Sequence, residues 1–347
     1  MRPMAKRNFS MVEYFDKIAK DWRPLLSFRG STQEDFEDWQ ARASEKFFDL
    51  LGDFPQPVDL DAEVIFSIED NGLIRERVIF DAEEHMSVPC TVLRPIDMPA
   101  DGSGAAIICS HGHGPYGKDP VAGNATTADK AANIAAHKYN YAEIMARDGF
   151  LTISPDLRVF GERDDGGNPY PGRDKCNVHF VRGAILGIYT LTLNIFDMKR
   201  CVDYLETRPE VNPDRIGMMG LSQGGTMTTF ATAAEPRIKA ADIIGYINPW
   251  EGFGINRANF CGSQIVPEVF KYFDTHDIAG LIAPRPLLVE MGVHDTCFFI
   301  EDQLKGFEAL ARIYEAAGVR ELLWDDVHPG EHGFADNRAH EFFERYL

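Results

Sequence analysis

Two stretches near the start of the chain repeat apolar residues at helical spacing. Val12, Phe15, Ala19 and Trp22 share one face of the first. Phe36, Trp39, Ala43, Phe47 and Leu50 share one face of the second. Between them, "FRGSTQED" breaks the pattern, and Ser31 or Thr32 ahead of Glu34 and Asp35 suits the start of the second helix. Both stripes are expected to pack against the rest of the molecule. "GDFPQPVD" then reads as a linker. The expected division is a helical extension over residues 1–58 and a main domain over 59–347.

From residue 63 the period shortens to that of strands: "EVIFSIED", "LIRERVIFD" and "MSVPCTVLRP". Asn71-Gly72 joins the first two as a hairpin, since both residues tolerate positive φ. Beyond "ADGSG" short apolar strands alternate with longer segments. The strands are expected at 105–110, 150–155, 215–220, 239–247, 286–292 and 321–326, with helices over 131–147, 181–206, 223–235 and 301–316. Antiparallel strands followed by this alternation predict an α/β fold: a mostly parallel central sheet covered by helices on both faces.

Composition narrows the classes of function. In 347 residues, 44% are hydrophobic and 26% charged, as expected of a soluble globular chain. A net charge of −19 argues against nucleic acid or an anionic membrane as partner. The first twenty residues carry no apolar run of signal-peptide length, and no stretch approaches the ~20 apolar residues of a membrane helix. The six cysteines show no CxxC spacing, so reduced thiols and a cytoplasmic location are expected. A homo-oligomer is compatible with the N-terminal stripe or with an edge strand, and nothing in the sequence specifies one.

In a sheet of this type, ligands bind beyond the carboxyl ends of the strands. Ser222 sits there, in "GLSQGG" between a strand and a helix, the setting of a nucleophile on a strained turn. A serine hydroxyl needs a base and an orienting acid. Asp295 follows the strand "PLLVEMG", and His332 in "EHGF" precedes the last helix, with His328 as a competing base. The backbone N–H of Gln223 and that of His113, in "HGHGPYGKD", are assigned to an oxyanion hole. His111 and His113 without a third donor make a weak metal site, so no metal or other cofactor is implied. His111, Arg158, Trp250 and Phe253 are candidate pocket residues. Arg158 and Asp156 could instead form a structural ion pair bracing loop 161–174, and Trp250 and Phe253 could cap the core. Loop 161–174 and the stretch 248–270 are the expected pocket walls.

Taken together, His111-Gly112, "SPDLRVFGER", "GLSQGG", "GVHD" and "EHGF" resemble the α/β-hydrolase superfamily, in its dienelactone-hydrolase-like and acetyl-xylan-esterase-like branch. The resemblance spans residues 105–335. It implies an α/β-hydrolase fold and a Ser222, Asp295, His332 triad, with oxyanion N–H groups at His113 and Gln223. Two departures stand out. Dienelactone hydrolases carry cysteine where Ser222 stands, and Arg158-Val159-Phe160-Gly161 replaces the Arg-Gly-Gln signature of acetyl xylan esterases. The resulting expectation is a serine hydrolase that cleaves a small-molecule carboxylic ester through an acyl-enzyme. A C–C bond hydrolase, a peptidase or amidase with the same triad, and a silent binding protein remain as alternatives.

Overall fold

The computed structural model describes residues 7–165 and 169–347. Its strands are β1 (Glu63–Asp70), β2 (Leu73–Glu83), β3 (Met86–Pro95), β4 (Gly104–Ser110), β5 (Leu151–Pro155), β6 (Val211–Leu221), β7 (Ala240–Ile244), β8 (Leu287–Gly292) and β9 (Leu323–His328). They form one sheet in the order β1-β2-β3-β5-β4-β6-β7-β8-β9. Pairing is antiparallel from β1 through β3 to β5 and parallel from β5 to β9. The β1–β2 turn has φ of 51° at Asn71 and 85° at Gly72, the doubly positive geometry that the Asn-Gly pair favours.

The helices are α1 (Met11–Lys20), α2 (Gln33–Leu51), α3 (Ala128–His137), α4 (Tyr141–Arg147), α5 (Lys175–Leu186), α6 (Thr190–Glu206), α7 (Gln223–Ala234), α8 (Val269–Tyr272), α9 (Thr275–Gly280), α10 (Ile300–Ala316) and α11 (Ala339–Tyr346). Strand side chains alternate between two apolar layers. Ala106, Ile108, Ile216 and Met218 join the layer of α2, α6, α7 and α10. Ile107, Cys109, Met219 and Leu221 join the layer of α4 and α11. This period-two alternation on an apolar strand marks a sheet covered on both faces.

Three expectations need correction. The segment 131–147 is two helices, broken where Lys138 enters the left-handed region at φ 47°. The segment 181–206 is likewise α5 and α6, separated at Gly187, which caps α5 at φ 72°. The third concerns the N-terminal stripes, which behave differently from each other. On α2, capped by Thr32 and Asp35, residues Phe36, Trp39, Ala43, Phe47 and Leu51 are buried in the main core, with Leu51 taking the place expected of Leu50. Each large side chain there contributes about 1.5–3 kcal/mol. On α1, only Ala19 is buried, while Val12 and Phe15 stay 70% and 52% exposed. A ten-residue helix that touches the body along one edge has too little contact to bury its whole stripe. Its apolar side borders a groove of about 580 Å3 lined by Phe15, Ile18, Trp22, Trp250, Phe260 and Phe270.

Among the described residues, no single helix is long and apolar enough to cross a membrane.

Candidate active site

The turn from β6 into α7 places Ser222 at φ 64° and ψ −115°, outside the regions that non-glycine residues ordinarily occupy. Its N–H donates to Ile244 O at 3.0 Å, and its carbonyl accepts from Thr226 N–H at 2.9 Å, so both sides of the turn are held. The flanking glycines are required by close approach. A Cβ on Gly220 would lie 2.6 Å from the backbone of Gly224, and one on Gly224 would lie 2.1 Å from Ser110 O. Strain at the serine and contact at the glycines are the two features of a nucleophile elbow.

Asp295, just past β8, and His332, past β9, meet at 2.7 Å from Oδ2 to Nδ1. The other oxygen of Asp295 accepts the N–H groups of Cys297 at 2.7 Å and Phe298 at 2.8 Å, which fixes the carboxylate plane. The His332 ring stacks on Phe298 with centroids 5.7 Å apart, and its carbonyl accepts from His137 Nδ1 at 2.6 Å. A Cβ on Gly333 would sit 2.7 Å from His137 O, so glycine is what lets this loop close on α3. His328 ends β9 almost fully buried, its Nδ1 accepting from Gly330 N–H at 3.2 Å, and burial holds its imidazole below the ordinary histidine range. Asp295 therefore pairs with His332 and not with the competitor.

Ser222 and His332 open onto one cleft of about 500 Å3, together with His113, Phe253, Cys261 and Phe298. Gln223 is the first residue of α7, where a helix leaves N–H groups without internal partners. In the loop after β4, Gly112 N–H is taken by the Tyr139 hydroxyl at 2.6 Å, which leaves His113 as the next donor along the loop. A Cβ on Gly112 would come within 3.3 Å of Ser222 Cβ, so this loop runs directly beside Ser222.

Of the four candidate pocket residues, the structure brings only Phe253 to the cleft. Arg158 is buried in ion pairs with Asp197 at 2.9 Å and Glu83 at 2.8 Å, and Arg163 also reaches Asp197 at 2.8 Å. Its charge is consumed in bracing β5 against α6. Burial alone would raise the Asp197 carboxyl, but Arg163 and Arg158 hold it below the ordinary range. His111 is fully buried and its Nε2 accepts Leu157 N–H at 3.0 Å, so it serves neither the cleft nor a metal. Trp250 turns away into the groove beneath α1. Asp156 binds Lys118 Nζ at 2.7 Å and the N–H groups of Lys118 and Glu162, the bracing role. Of the expected walls, 248–270 contributes Phe253 and its neighbours and 161–174 contributes Asp174; within the latter, residues 166–168 lie outside the described residues.

The sequence reading missed a thiol cluster on this cleft. His113, Cys176 and Cys261 come together from the loop after β4, from α5 and from the stretch before α8. Hydrogen bonding from Cys176, and then from His113, pulls the Cys261 thiol down to about 5 against the upward push of burial, while Cys176 is pushed up. Cys261, in turn, raises the His113 imidazole. Separations of 63 and 85 residues leave no local signal for such a group.

The chain as a whole is similar to a wider set of proteins. The model of the Abhydrolase family matches residues 4–317. The chain belongs to the Abhydrolase family. YtaP of Bacillus subtilis (strain 168) is 27% identical over 288 residues, covering 81% of this chain and 89% of its own. The 4-O-methyl-glucuronoyl methylesterase of Phanerochaete carnosa is 26% identical over 242 residues, 59% of this chain and 54% of its own. Among solved structures, the glucuronoyl esterase of Solibacter usitatus superposes with a TM-score of 0.64 at 14% identity, covering 89% of this chain and 93% of its own. The acetyl xylan esterase of Paenibacillus sp. R4 does so with a TM-score of 0.58 at 17% identity, covering 95% and 99%. This Abhydrolase chain is thus a hydrolase with the α/β-hydrolase fold.

Proposed function

We propose that this hydrolase cleaves a carboxylic ester of a hydroxyl-rich small molecule through an acyl-enzyme on Ser222. The observation that carries the reading is the 2.7 Å Asp295–His332 hydrogen bond opening onto the cleft that holds the strained Ser222. With Nδ1 donating to Asp295, His332 Nε2 is the free nitrogen and takes the Ser222 proton as Oγ attacks the ester carbonyl. The N–H groups of Gln223 and His113 receive the charge that develops on the carbonyl oxygen. His332 returns the proton to the departing alcohol. It then deprotonates the water that releases the acid and restores Ser222.

Support for a hydroxyl-rich substrate comes from the lining, where Asn133 and Asn259 offer both donors and acceptors, and Asn177, whose oxygen already accepts Gly262 N–H, offers its amide N–H. The esterases similar to this chain bear names of carbohydrate-ester chemistry. The test is fluorophosphonate labelling of wild type and Ser222→Ala, followed by hydrolysis of acetylated sugars, simple aryl esters and aryl amides. One adduct on Ser222, with sugar esters turned over best, is the expected result. Absence of an adduct on folded wild type would favour a binding protein, and preference for amides would favour an amidase.

A further inference from the structure

We infer that His113, Cys176 and Cys261 form a binding site for a thiophilic divalent cation of the zinc type on the wall of the active-site cleft. Their donor atoms lie within 4.8 Å of one another. Tetrahedral zinc with Zn–S of about 2.3 Å and Zn–N of about 2.0–2.1 Å separates a sulfur and a nitrogen ligand by roughly 3.6 Å. Cys176 Sγ and His113 Nε2 stand 3.7 Å apart, already at that edge length. Two sulfurs and an imidazole nitrogen select zinc-like ions over magnesium or calcium, which prefer oxygen.

The surroundings are arranged as a site rather than as scattered thiols. The His113 ring is held edge-on against Phe160 at 5.1 Å. Cys261 Sγ contacts Ser263 Oγ at 2.9 Å, and that hydroxyl accepts from Gln223 Nε2 at 2.9 Å. The outer contacts thus run from the sulfur to the side chain next to the nucleophile. Partners of this kind orient ligands and tune affinity. A disulfide would use the two thiols and leave the imidazole without a role. Three protein donors leave a fourth position, and because His113 and Cys261 line the cleft, it faces the space where substrate enters.

A bound cation pins the loop after β4 to α5 and to the stretch before α8, three separate walls of one cleft. Substrate entry is then obstructed, and hydrolysis becomes reversibly metal-inhibited. Only this last consequence rests on the proposed esterase reading; the binding does not.

The experiment uses reduced, chelator-stripped full-length protein and Co2+ as a spectroscopic probe, with Zn2+ affinity measured by competition against a chromophoric chelator. One equivalent of Co2+ giving a thiolate-to-cobalt charge-transfer band is expected. Cys176→Ser and Cys261→Ser should each weaken Zn2+ binding by at least about tenfold, the lower end of what outer contacts alone are worth. His113→Ala should weaken binding but keep the band. Cys297→Ser should leave binding intact, since Cys297 belongs to the other donor group, Asp295, Cys297 and His332. No band in wild type, a band that survives the Cys176→Ser/Cys261→Ser double variant, or binding lost in Cys297→Ser would each overturn the site. Zn2+ that binds with these properties but leaves ester hydrolysis unchanged would overturn the inhibition.

Discussion

The carboxylate of Glu290 accepts the backbone N–H of Ala335 at 2.8 Å, tying β8 to the loop that carries His332. Glu290 is fully buried, with Asp242 and Asp326 on the strands either side of it. Burial raises Glu290 from the ordinary 4.5 to about 8; burial and then Glu290 raise Asp242 as well. The folded protein therefore retains protons that the unfolded chain has released between about pH 4.5 and 8. Stability falls as pH rises through that window. Glu290→Gln keeps the acceptor for Ala335 and removes the titration. Its unfolding free energy should be flatter in pH and should exceed wild type at pH 8 by one to a few kcal/mol. Urea unfolding from pH 6 to 9 checks this, and parallel pH slopes for the two proteins would refute it.

Asp295→Asn keeps an oxygen for Cys297 and Phe298 N–H but can present an amide donor to His332, favouring the wrong tautomer. Turnover of an activated ester should drop by roughly 10^3–10^4, with KM little changed. Steady-state kinetics on protein of matched melting temperature reads the split. A change confined to KM would assign Asp295 to binding.

The elbow predicts a contrast between glycines. Gly224→Ala drives a Cβ to within 2.1 Å of Ser110 O, whereas Gly114→Ala meets nothing within 4 Å. Overpacking of this sort costs about 1–3 kcal/mol, which in a chain of this length is on the order of 1–4 °C in melting temperature. Calorimetry should show that loss for Gly224→Ala and almost none for Gly114→Ala. Equal melting points would mean the turn relaxes at little cost.

Asp197→Ala leaves the guanidinium of Arg163, and much of that of Arg158, buried without its carboxylate. A cost of about 3–5 kcal/mol is expected. Because this cluster lies outside the cleft lining, turnover per folded molecule should stay near wild type. Denaturant unfolding and active-site titration together separate the two effects.

Much of this architecture was legible in the chain. The strands are short and apolar with turn residues at both ends, so their positions follow from local pattern, and Ser222, Asp295 and His332 each sit just past a strand end. What escaped depended on partners distant in sequence. Arg158 has the same strand-end placement as a pocket residue, and only the presence of Asp197 and Glu83 turns it inward. The apolar spacing on α1 resembles that on α2, but α2 has a core to enter and α1 only an edge. Asp326 looks like a solvent-facing strand-end acid, yet it is buried beside Glu290. Cys176 and Cys261 carry no shared motif, and only the fold makes them neighbours.

Ala258 and Phe260 border both the cleft that holds Ser222 and the groove beneath α1, so the two chambers share a party wall. The groove is mostly apolar on its far side, with Phe15, Ile18 and Trp22 as its outer bank. Shortening the wall by Phe260→Ala should merge the chambers into one passage, shifting preference toward longer acyl chains while the sheet and the Asp295–His332 pair stay in place. Comparing chain-length profiles of wild type and variant measures the gain. The reach of the enzyme is then set by a partition that can be moved without rebuilding the machine behind it.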